Sequence, residues 1–466
     1  MLFNSFGFLI FFVVVTLLYY VTNASWRWLL LLLASCYFYM SLIPAYILVL
    51  FSIIIIDYAA AICMEKMADK KKFLLLLSIM VNLTVLAVFK YYNFFAENVN
   101  ALLGAWQLKV APLPFWYIIL PIGLSFHTFQ AMSYTIEVYR GNYRAEKHFG
   151  IYALYVMFYP QLVAGPIERP AQLLPQFYKK HAVDYDLIAQ GLKMMLWGFF
   201  MKVVMADRLA IFVDYVFARA EWHSRSALLL AGFFYPFQVY GDFAGYSLIA
   251  IGAAKTMGFT LNENFRRPYL SASLTHFWTR WHITLYSWFR DYVYIPLGGN
   301  RKGKFRQVFN ILLVFALSGL WHGAQWNFVV FGLLQGCIIV LELVFKRPPA
   351  AKIAGILYTF VVFSVCLIIF RSTTLKGGIV FIRRLFSPAT PWLLSGEFEE
   401  RASLLYSFFA IGCVLAADII NEFFSKNDLL LYHRKTWIRL SACIALVLII
   451  LLIGVFDGAQ FIYFQF

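Results

Sequence analysis

The chain has 466 residues, of which 62% are hydrophobic and 13% are charged, and its formal net charge is +16. A soluble domain is about half apolar and about one quarter charged, so this composition excludes an ordinary soluble protein and predicts one surrounded by lipid. The basic residues stand at the ends of apolar segments without forming a continuous stripe, which argues against nucleic-acid binding and fits the positive-inside rule.

The first third of the chain contains five apolar runs near the length of a membrane crossing, which is about 20 residues. These predicted helices are Leu2–Tyr20, Trp28–Met40, Ala45–Cys63, Phe73–Tyr91 and Phe115–Val138. The first run lacks the basic start and the small-residue exit of a cleavable signal, so we interpret it as a spanning helix. Basic connections, such as Glu65–Lys72 and Tyr139–His148, alternate with nearly neutral ones. This alternation predicts an N-terminus outside and basic loops in the cytoplasm.

The middle of the chain mixes apolar residues with charged and helix-breaking ones. Phe149–Pro160 is apolar but short, and Gln161–Pro166 interrupts it. Leu187–Phe217 contains Lys202 and Asp207, and Ala227–Met257 contains glycines beside an amide and a carboxylate. Irregular backbone at membrane depth is tolerated only where it is buried in protein or lines a cavity. We therefore expect several broken or re-entrant helices around a water-accessible interior.

The last third is again regular. Its predicted spanning helices are Phe328–Phe345, Ile353–Phe370, Ser403–Phe424 and Trp437–Phe456. The sequence predicts an all-α polytopic membrane protein, one domain over residues 1–466, with about 10 to 12 spanning or re-entrant helices.

Polar residues are concentrated in one stretch, Leu270–Asn327. This stretch holds histidines, arginines and an aspartate among tryptophans and tyrosines: His276, Arg280, His282, Arg290, Asp291, Arg301 and His322. Ionisable groups within membrane-depth sequence are energetically expensive, so a cluster of them indicates a functional site.

His322 is the first candidate catalytic residue. It ends the apolar run Val308–Leu320, which follows the basic loop Arg301–Arg306, so a regular helix places it on the order of 20 Å from that loop. His322 lies between the bulky Trp321 and Gly323, which has no side chain. This arrangement would suit a substrate that passes close to the backbone. Imidazole is the side chain suited to general-base catalysis near neutral pH. A neutral core histidine is the alternative.

His282 is the second candidate. At helical spacing it shares a face with Trp278 and Tyr286. It could orient a substrate, donate to a developing oxyanion, or serve the structure. Asp242 and Gln238 are further candidates for a cavity wall, with helix packing as the alternative.

The other histidines favour structural or exposed roles. His127 lies in an apolar helix, where we expect a hydrogen bond to Ser125 or to a backbone carbonyl. The remaining loop histidines are assigned to solvent-exposed positions: His148, His181, His223 and His433.

The segment Gly298–Lys304 matches the G-x-x-x-x-G-K pattern of a P-loop. Phe305 follows it in place of the Ser or Thr that holds magnesium, and no βαβ context surrounds it, which argues against nucleotide hydrolysis. Arg301, Lys302 and Lys304 could still bind the phosphates of a cytoplasmic ligand, and a plain positive-inside connector is the alternative. The six cysteines show no C-x-x-C spacing, so we expect neither a metal nor a disulfide framework.

Several motifs together carry a family resemblance. They are Leu120–Phe126, Pro160–Ile167, Asn262–Phe265, Pro268–Tyr269, Arg280–Leu285, Trp288–Arg301 and Gly319–Ala324. The chain resembles the membrane-bound O-acyltransferase family, and within it the bacterial alginate O-acetyltransferase-like branch. The resemblance implies a ring of helices around a central through-membrane funnel, with His322 as catalytic base and His282 as a second essential histidine. It also implies a thioester donor on the cytoplasmic side and an acceptor reached from outside.

We therefore expect an O-acyltransferase of the bacterial cytoplasmic membrane. It would move acetyl from acetyl-CoA, with no permanently bound cofactor, to an exported alginate- or peptidoglycan-type polysaccharide through an extracytoplasmic acyltransferase partner. The candidate substrate-binding residues are Trp281, Trp321, Asp242, Gln238, Arg290 and Asn327. The alternatives are a D-alanyl transfer protein for teichoic acid, fed by a carrier-protein thioester, and a transporter, which inverted repeats would favour.

Overall fold

The computed structural model describes residues 1–41, 43–108, 110–163, 165–345, 352–394, 396–397, 400–424 and 430–456. Ala164, in the motif Pro160–Ile167, lies outside the described residues. The described ranges contain helices and no strand. The α-helices are α1 Phe6–Val21, α2 Arg27–Met40, α3 Tyr46–Lys66, α4 Lys71–Leu86, α5 Tyr92–Ala105, α6 Leu124–Arg140, α7 Phe149–Met157, α8 Tyr159–Leu162, α9 Pro170–Leu173, α10 Tyr185–Phe199, α11 Asp207–Ala218, α12 Arg225–Thr256, α13 Leu274–Trp278, α14 Ile283–Phe289, α15 Lys304–His322, α16 Trp326–Val344, α17 Lys352–Arg371, α18 Leu375–Phe386, α19 Arg401–Phe423 and α20 Thr436–Ile453.

Six helical stretches within the described part of the chain are long and apolar enough to cross a membrane. They are Tyr46–Lys66, Ala68–Ala105, Trp326–Val344, Lys352–Arg371, Arg401–Phe423 and Thr436–Ile453. The shorter α1 is also apolar. These helices confirm the predicted all-α, multi-pass membrane protein.

One predicted helix begins later than expected. The run Phe115–Val138 is helical only from Leu124, where α6 starts. Pro121 has no backbone N–H to donate, and Gly123 adopts a left-handed φ of 74°. A Cβ at Gly123 would also lie 2.7 Å from the carbonyl oxygen of Leu162, so the chain turns here in a space that only glycine fits. The apolar run therefore continues through a turn that hydrophobicity alone does not reveal.

The prediction of broken helices in the middle region is correct for one part and wrong for another. Helices α7, α8 and α9 are short, as the interrupted apolar pattern predicts. By contrast, α12 runs for 32 residues with Pro236 inside it. The residues from Tyr185 to Ala218 also stay helical, because a π-helical turn at Phe200–Ala206 joins α10 to α11. A π turn takes up one extra residue without ending a helix.

The chain forms two compact units. The first contains Met1–Gly191 and Ala253–Asn262, and the second contains Leu192–Gly252 and Glu263–Phe466. The single domain and the central funnel predicted for the whole chain stay predictions.

The second unit contains a tightly packed helical hairpin, α15 and α16. A Cβ at Gly319 would overlap the carbonyl oxygen of Phe328, and a Cβ at Gly332 would overlap that of Phe315. The two backbones therefore touch at glycine on both helices. Over its 19 residues, α15 extends about 27 Å from Lys304 to His322.

Candidate active site

His282 lies in a turn rather than within a helix. It stands directly before α14 with φ 44° and ψ 53°, in the left-handed region, and its side chain is buried. The predicted helical face shared with Trp278 and Tyr286 is therefore wrong, because α13 ends at Trp278 and α14 begins at Ile283. A non-glycine residue in this conformation costs about 1–3 kcal/mol and is typical of functional sites.

Asn264 holds the imidazole of His282 in one orientation. The side-chain oxygen of Asn264 accepts hydrogen bonds from Nδ1 of His282 at 3.1 Å and from the backbone N–H of Thr284 at 3.3 Å. It also accepts one from the hydroxyl of Thr284 at 2.8 Å. Because a backbone N–H only donates, the bonded amide atom is the oxygen, and neutral His282 therefore carries its hydrogen on Nδ1. Its Nε2 is then a hydrogen-bond acceptor.

The backbone reinforces this turn. The N–H of Ile283 donates to the carbonyl of Asn264 at 2.9 Å, and the N–H of Arg266 donates to the carbonyl of Arg280 at the same distance. The side-chain amide of Asn264 donates to the hydroxyl of Ser247 at 3.4 Å, which links this turn to α12. Asn264 stands in the motif Asn262–Phe265, and nothing in the local sequence indicates this role.

The structure places both candidate catalytic histidines against the ring of Trp321. The ring centroid of Trp321 lies 5.8 Å from that of His282 and 5.0 Å from that of His322. All three side chains are buried. Phe243 packs edge-on against His282 at 4.6 Å, and Phe370 packs edge-on against His322 at 5.5 Å. The two imidazoles are thus enclosed by aromatic rings, away from bulk water.

Trp281 is part of the aromatic core beside this site. Its ring stacks on Phe277 at 5.4 Å and meets Phe265 edge-on at 5.0 Å and Phe363 at 5.3 Å. Phe265 also stacks beside His282 at 6.4 Å. Trp281 therefore supports the wall of the site through Phe265.

Asp242 belongs to a buried ion cluster. Nζ of Lys202 lies 2.6 Å from Asp242 and 2.7 Å from Asp207, and all three side chains are buried. Lys202 lies in the π-helical turn, so it links that turn to α12. Gln238, one turn before Asp242 on α12, is also buried, and its side-chain oxygen has no hydrogen-bond partner among the described residues. Buried charges persist only when they are well paired, and this pairing holds α12, which carries Phe243, against the π-helical turn.

Asn327 makes a structural contact near the histidines. Its amide donates to the carbonyl of Ser372 at 2.8 Å and to that of Phe370 at 3.4 Å, where α17 ends. It therefore holds the end of α17 against the start of α16. Arg290 instead pairs with its neighbour Asp291 at 2.8 Å, and its side chain is 52% exposed.

The predicted phosphate-binding residues lie far along α15 from the histidine pair. Arg301, Lys302 and Lys304 are exposed at the start of this helix, and His322 ends it. Within the described residues, no group of three or more His, Cys, Asp or Glu side chains is placed to hold a metal ion.

A Cβ at Gly323 would overlap the ring of Phe328, so packing alone requires glycine at this position. The passage of a substrate close to this backbone stays a prediction. The hydrogen bond expected for His127 is wrong. In the first unit, neither ring nitrogen of buried His127 has a hydrogen-bond partner among the described residues, and its ring packs edge-on against Tyr39 at 5.9 Å.

These features define a multi-pass membrane protein that buries a pair of histidines against one tryptophan within a helical unit. The sequence profile described as "MBOAT, membrane-bound O-acyltransferase family" matches residues 16–374. The chain belongs to the membrane-bound O-acyltransferase family and is an O-acyltransferase.

Curated relatives agree with this assignment. The chain is 36% identical to the probable alginate O-acetylase AlgI of Pseudomonas aeruginosa, covering 92% of this chain and 82% of the relative. It is 31% identical to the peptidoglycan O-acetyltransferase of Helicobacter pylori, covering 99% and 95%. It is 29% identical to the teichoic acid D-alanyltransferase of Streptococcus thermophilus, covering 47% and 56%.

Proposed function

We propose that this O-acyltransferase moves an acetyl group from cytoplasmic acetyl-CoA to an exported cell-envelope or extracellular polysaccharide. The observation that carries the proposal is the buried pair His282 and His322, both packed against Trp321. The alginate O-acetylase and peptidoglycan O-acetyltransferase relatives match this chain over most of its length, which supports acetyl as the group and a polysaccharide as the acceptor.

In the proposed chemistry, Nε2 or Nδ1 of His322 takes the proton of an attacking hydroxyl. The hydroxyl oxygen bonds to the thioester carbon, the carbon–sulfur bond breaks, and the thiolate leaves and takes up a proton. Enclosure by aromatic rings excludes water that would hydrolyse the thioester.

The geometry around His282 refines its proposed role. With its hydrogen on Nδ1 held by Asn264, neutral His282 offers only a lone pair at Nε2. It therefore orients a hydroxyl by accepting a hydrogen bond. Polarising the thioester carbonyl would require the imidazolium form, in which Nε2 also carries a hydrogen.

We propose that the basic loop Arg301–Arg306 faces the cytoplasm, in line with the positive-inside rule, and that the N-terminus lies outside. Arg301, Lys302 and Lys304 would then contact the phosphates of the donor. His322, about 27 Å along α15 from Lys304, would lie toward the extracytoplasmic side. Only the acetyl group then crosses the membrane, and a separate extracytoplasmic acyltransferase passes it to the polymer.

D-alanyl transfer is the second candidate. The match to a teichoic acid D-alanyltransferase favours it, although that match covers about half of either chain. The donor would then be a carrier-protein thioester.

The test measures ester-linked acetate on surface glycans of a deletion strain that carries wild type, His322→Ala or the loop-histidine control His433→Ala. Membrane levels of the three proteins are matched. We expect acetate with wild type and His433→Ala and none with His322→Ala. Acetate that is equal in every strain, including the empty deletion, would refute acetyl transfer and favour D-alanylation, which D-alanine release from the same samples detects.

A further inference from the structure

The second unit contains a second histidine site, at the same end of the unit as His322. A cavity of about 630 Å³ is lined by Tyr215, Arg219, Trp222, His223 and Glu397, among others. Its location follows from the end of α17, where Phe370 packs against His322. The next residue, Arg371, pairs at 2.6 Å with Asp214 on α11, which directly precedes Tyr215 of the cavity. Ligand cavities commonly have volumes of about 300–1,000 Å³, so this one is large enough for a small ligand.

His223 and Glu397 form a buried pair within this cavity. Nδ1 of His223 lies 3.1 Å from the Glu397 carboxylate, and their side chains are 7% and 6% exposed. The same carboxylate oxygen accepts the backbone N–H of Ser224 at 2.8 Å. The assignment of His223 to a solvent-exposed position is therefore wrong, because its partner lies 174 residues away and covers it.

The charge on Glu397 determines which nitrogen of His223 accepts hydrogen bonds. Burial alone would raise the pKa of Glu397, but hydrogen bonds from Ser224, His223 and Leu394 outweigh it and hold the pKa below its ordinary value. An ionised carboxylate only accepts, so neutral His223 carries its hydrogen on Nδ1. Its Nε2 is then an acceptor on a residue that lines the cavity.

Two exposed aromatic rings complete the cavity wall. Trp222 is 64% exposed and Tyr215 is 59% exposed. The guanidinium of Arg219 lies 4.5 Å from the centroid of the Trp222 ring. Tyr215 also packs edge-on against His223 at 4.7 Å, which fixes the imidazole from a second side.

This combination matches the chemistry of a sugar. A pyranose ring has an apolar C–H face that packs on an aromatic ring, and hydroxyls that donate to imidazole nitrogens and carboxylates. A uronate or other acidic sugar adds an anion that a guanidinium recognises. An aromatic residue that anchors the protein at the membrane interface would not require a buried histidine–carboxylate pair beside it.

We propose that this cavity binds one saccharide unit of the acceptor polysaccharide. The sugar face packs on Trp222, a hydroxyl donates to Nε2 of His223, and Arg219 pairs with an acidic group where the sugar carries one. The inference rests on the proposed function, because it assumes a polysaccharide acceptor that approaches this end of the second unit. It extends that function by proposing that the polymer itself binds directly to this chain.

Binding of short oligosaccharides to the full chain in lipid nanodiscs tests the proposal. The probes are a tetramer of a uronic acid and a tetramer of N-acetylglucosamine, measured by calorimetry. We expect at least one of them to bind wild type. Tighter binding of the uronate would indicate that Arg219 pairs with the carboxylate of the sugar. Trp222→Ala removes the ring on which the sugar packs, and His223→Ala removes the acceptor of its hydroxyl. Each should weaken binding about tenfold or more, which corresponds to a loss of about 1.4 kcal/mol or more.

Two controls make the result decisive. Trp392 is another exposed tryptophan of this unit that does not line the cavity, so Trp392→Ala should bind like wild type. His322→Ala should bind sugar normally while losing acetyl transfer, which separates failure of this inference from failure of the proposed function. No binding of either tetramer to wild type, or wild-type affinity in Trp222→Ala, would overturn the inference; the exposed Trp222 side chain can be removed without unfolding the buried pair.

Discussion

Replacing Asn264 by alanine separates the orientation of His282 from its presence. The substitution removes the acceptor of the Nδ1 hydrogen of His282 and two bonds from Thr284. The imidazole is then free to rotate and to exchange its hydrogen between the two nitrogens. We expect acetyl transfer to fall even though both histidines remain.

The magnitude follows from the hydrogen bonds lost. A buried donor left without its partner costs about 1–3 kcal/mol. If the bond from His282 is what aligns the reactive nitrogen, that cost enters the activation barrier, where about 1.4 kcal/mol corresponds to a tenfold change in rate. The expected loss is therefore about 10- to 100-fold for Asn264→Ala.

The assay measures ester-linked acetate formed per unit of membrane protein, together with thermal unfolding in nanodiscs. Ser247→Ala is the matched control, because it removes only the 3.4 Å bond on the other side of the Asn264 amide. It should keep at least half of the wild-type rate. A wild-type rate in Asn264→Ala, with the protein folded, would refute the assignment of Asn264 as the residue that positions His282.

Three further changes test the packing and charge of the fold. Lys202→Met leaves two buried carboxylates without their cation and should lower the free energy of unfolding by about 3–5 kcal/mol, measured in nanodiscs; an unchanged stability would contradict the buried cluster. Gly319→Ala places a methyl group against the carbonyl of Phe328 and should destabilise by about 1–3 kcal/mol, while Gly412→Ala, with open space around it, should not. Burial raises the pKa of Glu168, in the segment between α8 and α9, from 4.5 to about 7. The folded state therefore binds this proton more tightly than the unfolded chain, and stability should fall as pH rises from about 5 to 8 in wild type but not in Glu168→Gln.

The spanning helices were predictable because lipid imposes length and hydrophobicity on each of them separately. The predicted run Ile353–Phe370 differs from the observed α17 by one residue at each end. The run Phe115–Val138 failed because Pro121 and Gly123 direct a turn that is itself apolar. A hydrophobicity pattern indicates whether a segment lies in lipid or in water, but it does not indicate where the backbone turns.

The candidate histidines were predictable from their cost in membrane-depth sequence, but their geometry was not. The partner of His282 is Asn264, which is 18 residues away in sequence and in another segment. The partner of His223 is 174 residues away. Such pairs form only when the helices assemble, so local sequence assigned His282 to a helix face and His223 to solvent.

The two catalytic candidates rest on supports of different stiffness. His322 ends a helix whose backbone touches its neighbour at Gly319 and Gly332, so displacing it requires moving the hairpin as one body. His282 stands in a left-handed turn between two short helices, and its orientation depends on the hydrogen bonds that Asn264 makes to this turn. Of the pair, one imidazole is therefore held by helix packing and the other by a hydrogen-bond network, so a substitution at Asn264 should disturb the second and leave the first in place.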